Sequence, residues 1–269
     1  MPELTRVPAG VDPSVPSSAR VYDHLLGGKD NFEVDRAVAA RLLQVAPDTR
    51  RVAKASRRFL ISAVRHMALA GVQQFIDLGA GIPTSPSVHE AATEVRPGAK
   101  VVYVDYDPVV KLHNDVILAV GEGVISIQAD LRDPAGVLGD SQVTAFIDFS
   151  EPVGLLLAGV THFVTDEEDP AGIIRTFRDR MAPGSHLLLS QAVAESDPEA
   201  LAQLRASTAG SPAQPTFRTH EEVLALFDGF DLVEPGLVPV QDWRPDLEEP
   251  PTKLRIEGGV GVLRQRAHR

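Results

Sequence analysis

From Gly71 onward, short apolar runs alternate with amphipathic stretches of helical length, and that rhythm leaves few folds open. Strands are expected at 74–78, 100–104, 124–128, 153–158 and 186–192, with helices at 86–95, 108–120 and 170–181. Each of these helices opens on a proline, which suits a first turn whose N–H groups have no partner anyway. A β-α-β-α order implies a parallel sheet covered on both faces and wound right-handed. Thr219 with Glu222 has the layout of a capping box and opens a helix to about residue 227. The end of the chain breaks the rhythm. Runs at 231–240 and 259–264 read as strands with no helix between them, so they are expected to pair antiparallel.

Before Gly71 the pattern is helical throughout. Residues 1–16 hold four prolines and no apolar period, and read as a flexible arm. Ser17 or Ser18 can cap a short helix with Val21, Tyr22, Leu25 and Leu26 as its stripe, ended by Gly27 and Gly28. Asp30 and Glu33 suggest a capping box for a second helix, which stops before Pro47. Asp48 can cap a third that runs to about Ala70. Residues 1–70 carry a net +4 and residues 71–269 a net −15. The chain thus divides into an arm (1–16), a helical extension (17–70) and an acidic main domain (71–269).

Composition narrows the classes further. The 269 residues include no cysteine, which excludes a disulfide scaffold, thiolate metal sites and cysteine nucleophiles, and fits a reducing cytoplasm. The longest apolar run, 153–160, is too short to span a bilayer, and the N-terminus has no signal-like apolar core. A net charge of −11 disfavours nucleic acid as the main partner.

The stretch Phe75-Ile76-Asp77-Leu78-Gly79-Ala80-Gly81 carries a strand into a two-glycine turn and a helix start. Glycines there let a ligand approach the backbone, and a helix N-terminus offers free N–H groups. The dinucleotide fingerprint needs a third glycine where Thr84 stands, and a carboxylate at Asp77 would repel phosphate. That disfavours a nucleotide-linked oxidoreductase; Asp77 suits a cationic amino group instead. Asp105 ends the next strand 24 residues after Gly81, placed to accept from two ribose hydroxyls. Tyr106 beside it could pack on an adenine, while Asp107 before Pro108 reads as a helix cap. Asp130, next to Leu131, ends the third strand and could accept from an adenine amino group; Asp133 is another cap. Together these ask for a ligand with an amino acid end, a ribose and an adenine, which is S-adenosylmethionine. None of the motifs calls for a metal.

With Asp77-x-Gly79-x-Gly81, Asp105 and Asp130, the chain resembles class I S-adenosylmethionine-dependent methyltransferases. The run from Ala19 to Phe32, with its Gly-Gly-Lys-Asp-Asn-Phe core, is similar to the opening of a bacterial S-adenosyl methyltransferase family long described as a domain of unknown function. The likeness continues through 128–134, 152–164, 181–190 and 232–245. It implies an α/β, Rossmann-like class I sheet of seven strands, the last antiparallel, behind an N-terminal helical extension. It also implies methyl transfer to a small-molecule acceptor. Two positions depart from the family pattern: Tyr106 stands for an asparagine, and Gln191 for a histidine after the fifth strand, which removes an acid–base group there.

The extension has two readings. Tyr22, Gly28, Lys29 and Asn31 belong either to a lid over the cofactor cleft, which must exclude water, or to a plain helix connection. Arg57 is the candidate for the cofactor carboxylate. His162, after the fourth strand, is either a general base or a structural histidine; His24 and Trp243 are weaker candidates for lining the acceptor pocket. The activity also has two readings, a methyltransferase or a cofactor-binding protein without transferase activity. Glycine-turn residues serve both.

Overall fold

The computed structural model describes residues 12–118, 123–208, 214–244 and 249–264. Most of the expected arm, the end of the helix expected to reach residue 120, and Pro245 lie outside these. Three helices come first: α1 (Ser18–Leu26), α2 (Glu33–Val45) and α3 (Thr49–Leu69). The alternating part follows as β1 (Gln74–Leu78), α4 (Val88–Val95), β2 (Lys100–Asp105), α5 (Pro108–Leu118) and β3 (Val124–Gln128). Next come α6 (Pro134–Gly139), α7 (Ser141–Phe146), β4 (Val153–Ala158), α8 (Pro170–Arg180) and β5 (His186–Ala192). The chain closes with α9 (Pro198–Thr208), α10 (His220–Ala225), β6 (Phe230–Leu232), β7 (Val238–Pro239) and β8 (Ile256–Leu263).

The strands form one sheet in the order β3-β2-β1-β4-β5-β8-β6, with β7 pairing on β8. Strands β1 to β5 are parallel, and β8 enters antiparallel between β5 and β6. The Rossmann-like class I sheet is therefore present with eight strands where seven were expected. The difference lies at 231–240, where a turn at Gly236 (φ 90°), closed by its N–H to the Val233 carbonyl, splits one expected strand into β6 and β7.

Alternation along each strand feeds two cores. Phe75, Leu156 and Leu188 face α3 and α4, beside Phe59 and Met67 of α3. Ile76, Leu155, Leu157 and Leu187 face the other side, with Phe177 of α8 and Val143 of α7. The second half of α3 thus belongs to the sheet's own core, although the charge break falls after it.

Several helix starts are held by other contacts than the sequence suggested. Ser17 holds the N-cap position of α1, but its hydroxyl donates to Asp107 Oδ2 (2.7 Å). Asp48 precedes α3, but its carboxylate accepts from the Lys253 N–H (2.7 Å). Pro86 lies ahead of α4, which is capped by a reciprocal box of Ser87 and Glu90. The Asp30–Glu33 box does not form. Helix α2 begins two residues on, with Phe32 in the N-cap position and its N–H donating to Asp35 (2.8 Å).

Asp35 is the hub of the extension. It is fully buried and also accepts from the Ser17 N–H (2.9 Å) and Arg20 Nε (2.8 Å). The Arg20 guanidinium in turn stacks on the Phe32 ring, 4.9 Å from its centroid. Removing one partner of a buried ion pair strands the other charge, at about 3–5 kcal/mol. Asp35→Ala should therefore lose on the order of 3 kcal/mol in urea denaturation, whereas Asp30→Ala should lose little. Equal losses would show that Asp35 is not the hub.

Candidate functional site

A cavity of about 650 Å³ opens over the C-terminal ends of β1 to β4. The glycine turn and the strand-end carboxylates form one wall, and Tyr22, Leu25, Val38, Leu42, Arg57 and Leu60 of α1 to α3 form the cover. A far wall comes from Leu204 of α9, which packs against α2, and from Phe217 and Leu254.

Gly79 and Gly81 both hold left-handed backbone, with φ of 69° and 66°. A Cβ on Gly79 would lie 2.4 Å from Val160 Cγ2, so no other residue fits. One on Gly81 would meet nothing within 4 Å, because the space above it is the cavity. The Gly81 N–H donates to Asp105 Oδ2 and the Asp107 N–H to Oδ1, both at 2.9 Å. Asp105 is thus locked to the glycine turn, and each oxygen keeps a lone pair for a ligand. Asp107 caps α5 through the Val109 N–H (2.8 Å), as its place before proline suggested. Ala80, Tyr106, Asp130 and Leu131 also line the cavity, with Tyr106 half exposed.

Three expected site residues lie elsewhere. Gly28, Lys29 and Asn31 do not line the cavity. Their loop folds on Asp23 instead, whose Oδ2 accepts from the Asp30 N–H (3.0 Å) and Asn31 Nδ2 (2.8 Å). A Cβ on Gly28 would sit 1.9 Å from Asp23 Oδ1, so this glycine makes room for a carboxylate of its own chain. The glycine-rich run serves the α1–α2 connection, while Tyr22, whose hydroxyl donates to the Ala53 carbonyl (3.0 Å), reaches the cavity.

Asp130 is not a free acceptor either. Arg132 grips it through Nε and Nη2 (2.6 Å) and links it to Glu168 (3.0 Å). This pairing of near neighbours, two residues apart, holds the carboxyl below its usual range. His162 does line the cavity, but its imidazole is pushed down to about 4 by burial and by Arg218, not left near neutral. Its Nδ1 is buried with no partner, so no carboxylate orients the ring as a base. His24 and Trp243 line other places. Gln191 is fully buried and spent on structure, donating to the Ala192 and Thr216 carbonyls and accepting from Arg218. Arg218, unnoticed in the sequence, also donates to the Thr161 and Val164 carbonyls and so fixes the turn that carries His162.

A family model described as S-adenosyl methyltransferase matches residues 5–265. The chain belongs to that family. No curated protein gives a significant match. Among solved structures, a Thermobifida fusca YX protein is 38% identical, with a TM-score of 0.91, over 97% of this chain and all of its own. A DUF574 family protein from Streptomyces avermitilis is 35% identical, with a TM-score of 0.89, over 94% of this chain and 99% of its own. Human N-acetylserotonin methyltransferase in complex with SAM shares the fold at 15% identity, with a TM-score of 0.50 over 94% of this chain and 64% of its own. The cofactor of this S-adenosyl methyltransferase family member is S-adenosylmethionine, and the acceptor is unidentified.

The cavity suits that cofactor. Asp77 is 4% exposed, and burial, with a contribution from Asp105, pushes its carboxyl up to about 7 despite the opposing Arg57. Asp105 is also raised, mainly by burial. Two largely buried carboxylates side by side are best relieved by a ligand cation. Arg57 approaches from α3 and donates to the Thr84 (2.5 Å) and Pro86 (2.6 Å) carbonyls; its Nε is buried without a partner.

A carboxyl whose folded value exceeds its unfolded 3.8 stabilises the fold below that pH and loses this contribution as pH rises through about 7. At 1.36 kcal/mol per unit the loss approaches about 4 kcal/mol above neutrality. Asp77→Asn should therefore be more stable than the parent without ligand. Urea melts should show the gap widening from pH 5 to pH 8; a constant or reversed gap would contradict the assignment.

Proposed function

We propose that this family member transfers the methyl group of S-adenosylmethionine to a small-molecule acceptor in the cytoplasm, with the cofactor lying over the ends of β1 to β3. The observation that carries this reading is the pair of buried carboxylates, Asp77 and Asp105, on either side of an open glycine turn. Bound there, S-adenosylmethionine supplies an electrophilic methyl group on a sulfonium.

The chain's own residues do the rest. Asp77 takes the amino group and Arg57 the carboxylate. Gly79, Ala80 and Gly81 let the ligand reach the backbone, and Asp105 accepts from the ribose hydroxyls. Tyr106 packs on the adenine, and Asp130 with Leu131 borders its rim, Asp130 sharing its charge with Arg132. The helices of the extension, with Tyr22 facing inward, cover the cleft and keep water from it. His162 is neutral across the physiological range, so it shapes the methyl-accepting side and positions the acceptor more than it draws off a proton. The absence of cysteine supports a reducing compartment. Among the described residues no helix is long and apolar enough to cross a membrane.

S-adenosylhomocysteine, the demethylated cofactor, should raise the melting temperature and NAD should not. At 100 times the dissociation constant, linkage gives about 2.7 kcal/mol. Asp105→Ala should lose most of that shift, since hydrogen bonds to a charged group contribute about 1.5–3 kcal/mol each. A shift with NAD alone, or normal calorimetric binding by Asp105→Ala, would refute the assignment.

A further inference from the structure

The cavity is chemically uneven. Its four carboxylates, Asp77, Asp105, Asp107 and Asp130, all stand at or just beyond the ends of β2, β1 and β3. The cover and far wall, from α1, α2, α9 and residues 254–256, contribute no carboxylate among the described residues. With Phe217 beside them, they contribute Leu25, Leu42, Leu204 and Leu254; apart from Arg57 of α3, the cation on this side among the described residues is Arg255.

The other two guanidiniums lining the cavity are committed elsewhere. Arg132 holds Asp130, and Arg57 sits at the glycine turn. Arg255 immediately precedes β8, beside the end of β5, where Ile256 pairs with Ala192. In the strand order β1-β4-β5-β8, that is three strand spacings from the glycine turn, or roughly 14 Å at about 4.8 Å each. Its backbone thus stands well along the edge from Asp77 and the glycine turn, where Arg57 already approaches.

The way Arg255 is held suits a binding role. Its Nη2 contacts Glu257 Oε1 (2.6 Å), and Glu257 is 1% exposed and also bonded to His220 Nδ1 (2.7 Å). One edge of the guanidinium is thus fixed by a buried, shared carboxylate. The side chain nevertheless stays 39% exposed, and its Nε is buried with no partner. A guanidinium offers five donors in a planar fork that matches a carboxylate. In an apolar chamber such a contact discriminates strongly, while an ammonium group there would face the Arg255 cation, with the Glu257 carboxylate already engaged by Arg255 and His220.

We infer that the methyl acceptor is an apolar small molecule carrying a carboxylate, with its hydrocarbon part against Leu42, Leu204 and Phe217 and its carboxylate on Arg255. This rests on the reading of the carboxylate-lined half as the cofactor site, and the two can fail separately.

The test titrates the full-length protein by calorimetry, with and without saturating S-adenosylhomocysteine, using three probes of one skeleton: 4-phenylbutyrate, 4-phenylbutanamide and 4-phenylbutylamine. The acid should bind at least about tenfold more tightly than the amide or the amine, a difference of about 1.4 kcal/mol. Arg255→Gln should erase that preference and leave S-adenosylhomocysteine affinity unchanged. Arg255→Lys, which keeps a charge beside Glu257, should retain part of it. No binding of the acid, equal binding of the amine or amide, or an undiminished preference in a folded Arg255→Gln protein overturns the inference. Loss of S-adenosylhomocysteine binding in Arg255→Gln also overturns it, by assigning Arg255 to the cofactor. Failure of S-adenosylhomocysteine to bind the parent protein, with acid preference intact, overturns the cofactor placement alone.

Discussion

A carboxylate taken out of water without a counter-charge costs several kcal/mol, and the edge of this sheet holds two largely buried ones, Asp77 and Asp105. Both are brought there by the register of β1 and β2, whose apolar neighbours bury most of each side chain. Much of the surrounding architecture answers that cost. The glycine turn and the backbone beyond β2 aim N–H groups at Asp105, and α3 brings Arg57 toward Asp77. The relief is incomplete, since both carboxyls stay above their usual range. A site left strained in this way is ready for a cation, and it trades stability of the empty protein for affinity.

The cover over the edge obeys a second electrostatic rule. Arg20 and Asp35 are both buried, and each is saturated by local partners, so the pair fixes how α1 meets α2 more than it stabilises the fold. Ser17 then ties that unit to Asp107 at the end of β2, ninety residues on in the chain. The residue that caps α5 therefore also locates the cover.

Much of this was legible in the sequence, for a physical reason. Apolar runs of strand length between proline-started helices have one economical packing, and β1 and β3 to β5 fall where the alternation put them. Asp77, Gly79, Gly81 and Asp105 were legible because a turn with left-handed backbone beside a strand-end acid leaves a local signature. What escaped was non-local. Ser17 and Asp48 do hold the N-cap positions of α1 and α3, yet their side chains bind residues far along the chain, which no local pattern announces. Arg132 beside Asp130 was in plain view, yet nothing in the spacing says that the two close on each other. Helix α9 did leave a signal, since Asp197 before Pro198 caps it through the Ala200 N–H, and Leu201 and Leu204 share a face. Arg255 and Arg218 left none; each matters through what the folded sheet sets beside it.

The contact between α2 and α9 joins the front of the chain to a segment that lies beyond β5. During synthesis α1 to α3 are made before α9, so the face of α2 that meets α9 has no partner there until that later segment is made. At roughly 5–20 residues per second, that interval is on the order of ten seconds. The α1–α2 hairpin, joined by Arg20 and Asp35, can form in the meantime because its contacts are local. The chamber itself is a late product of translation: a chain halted before α9 lacks Leu204 and the rest of the far wall, and leaves the apolar inner side of α2 open to water.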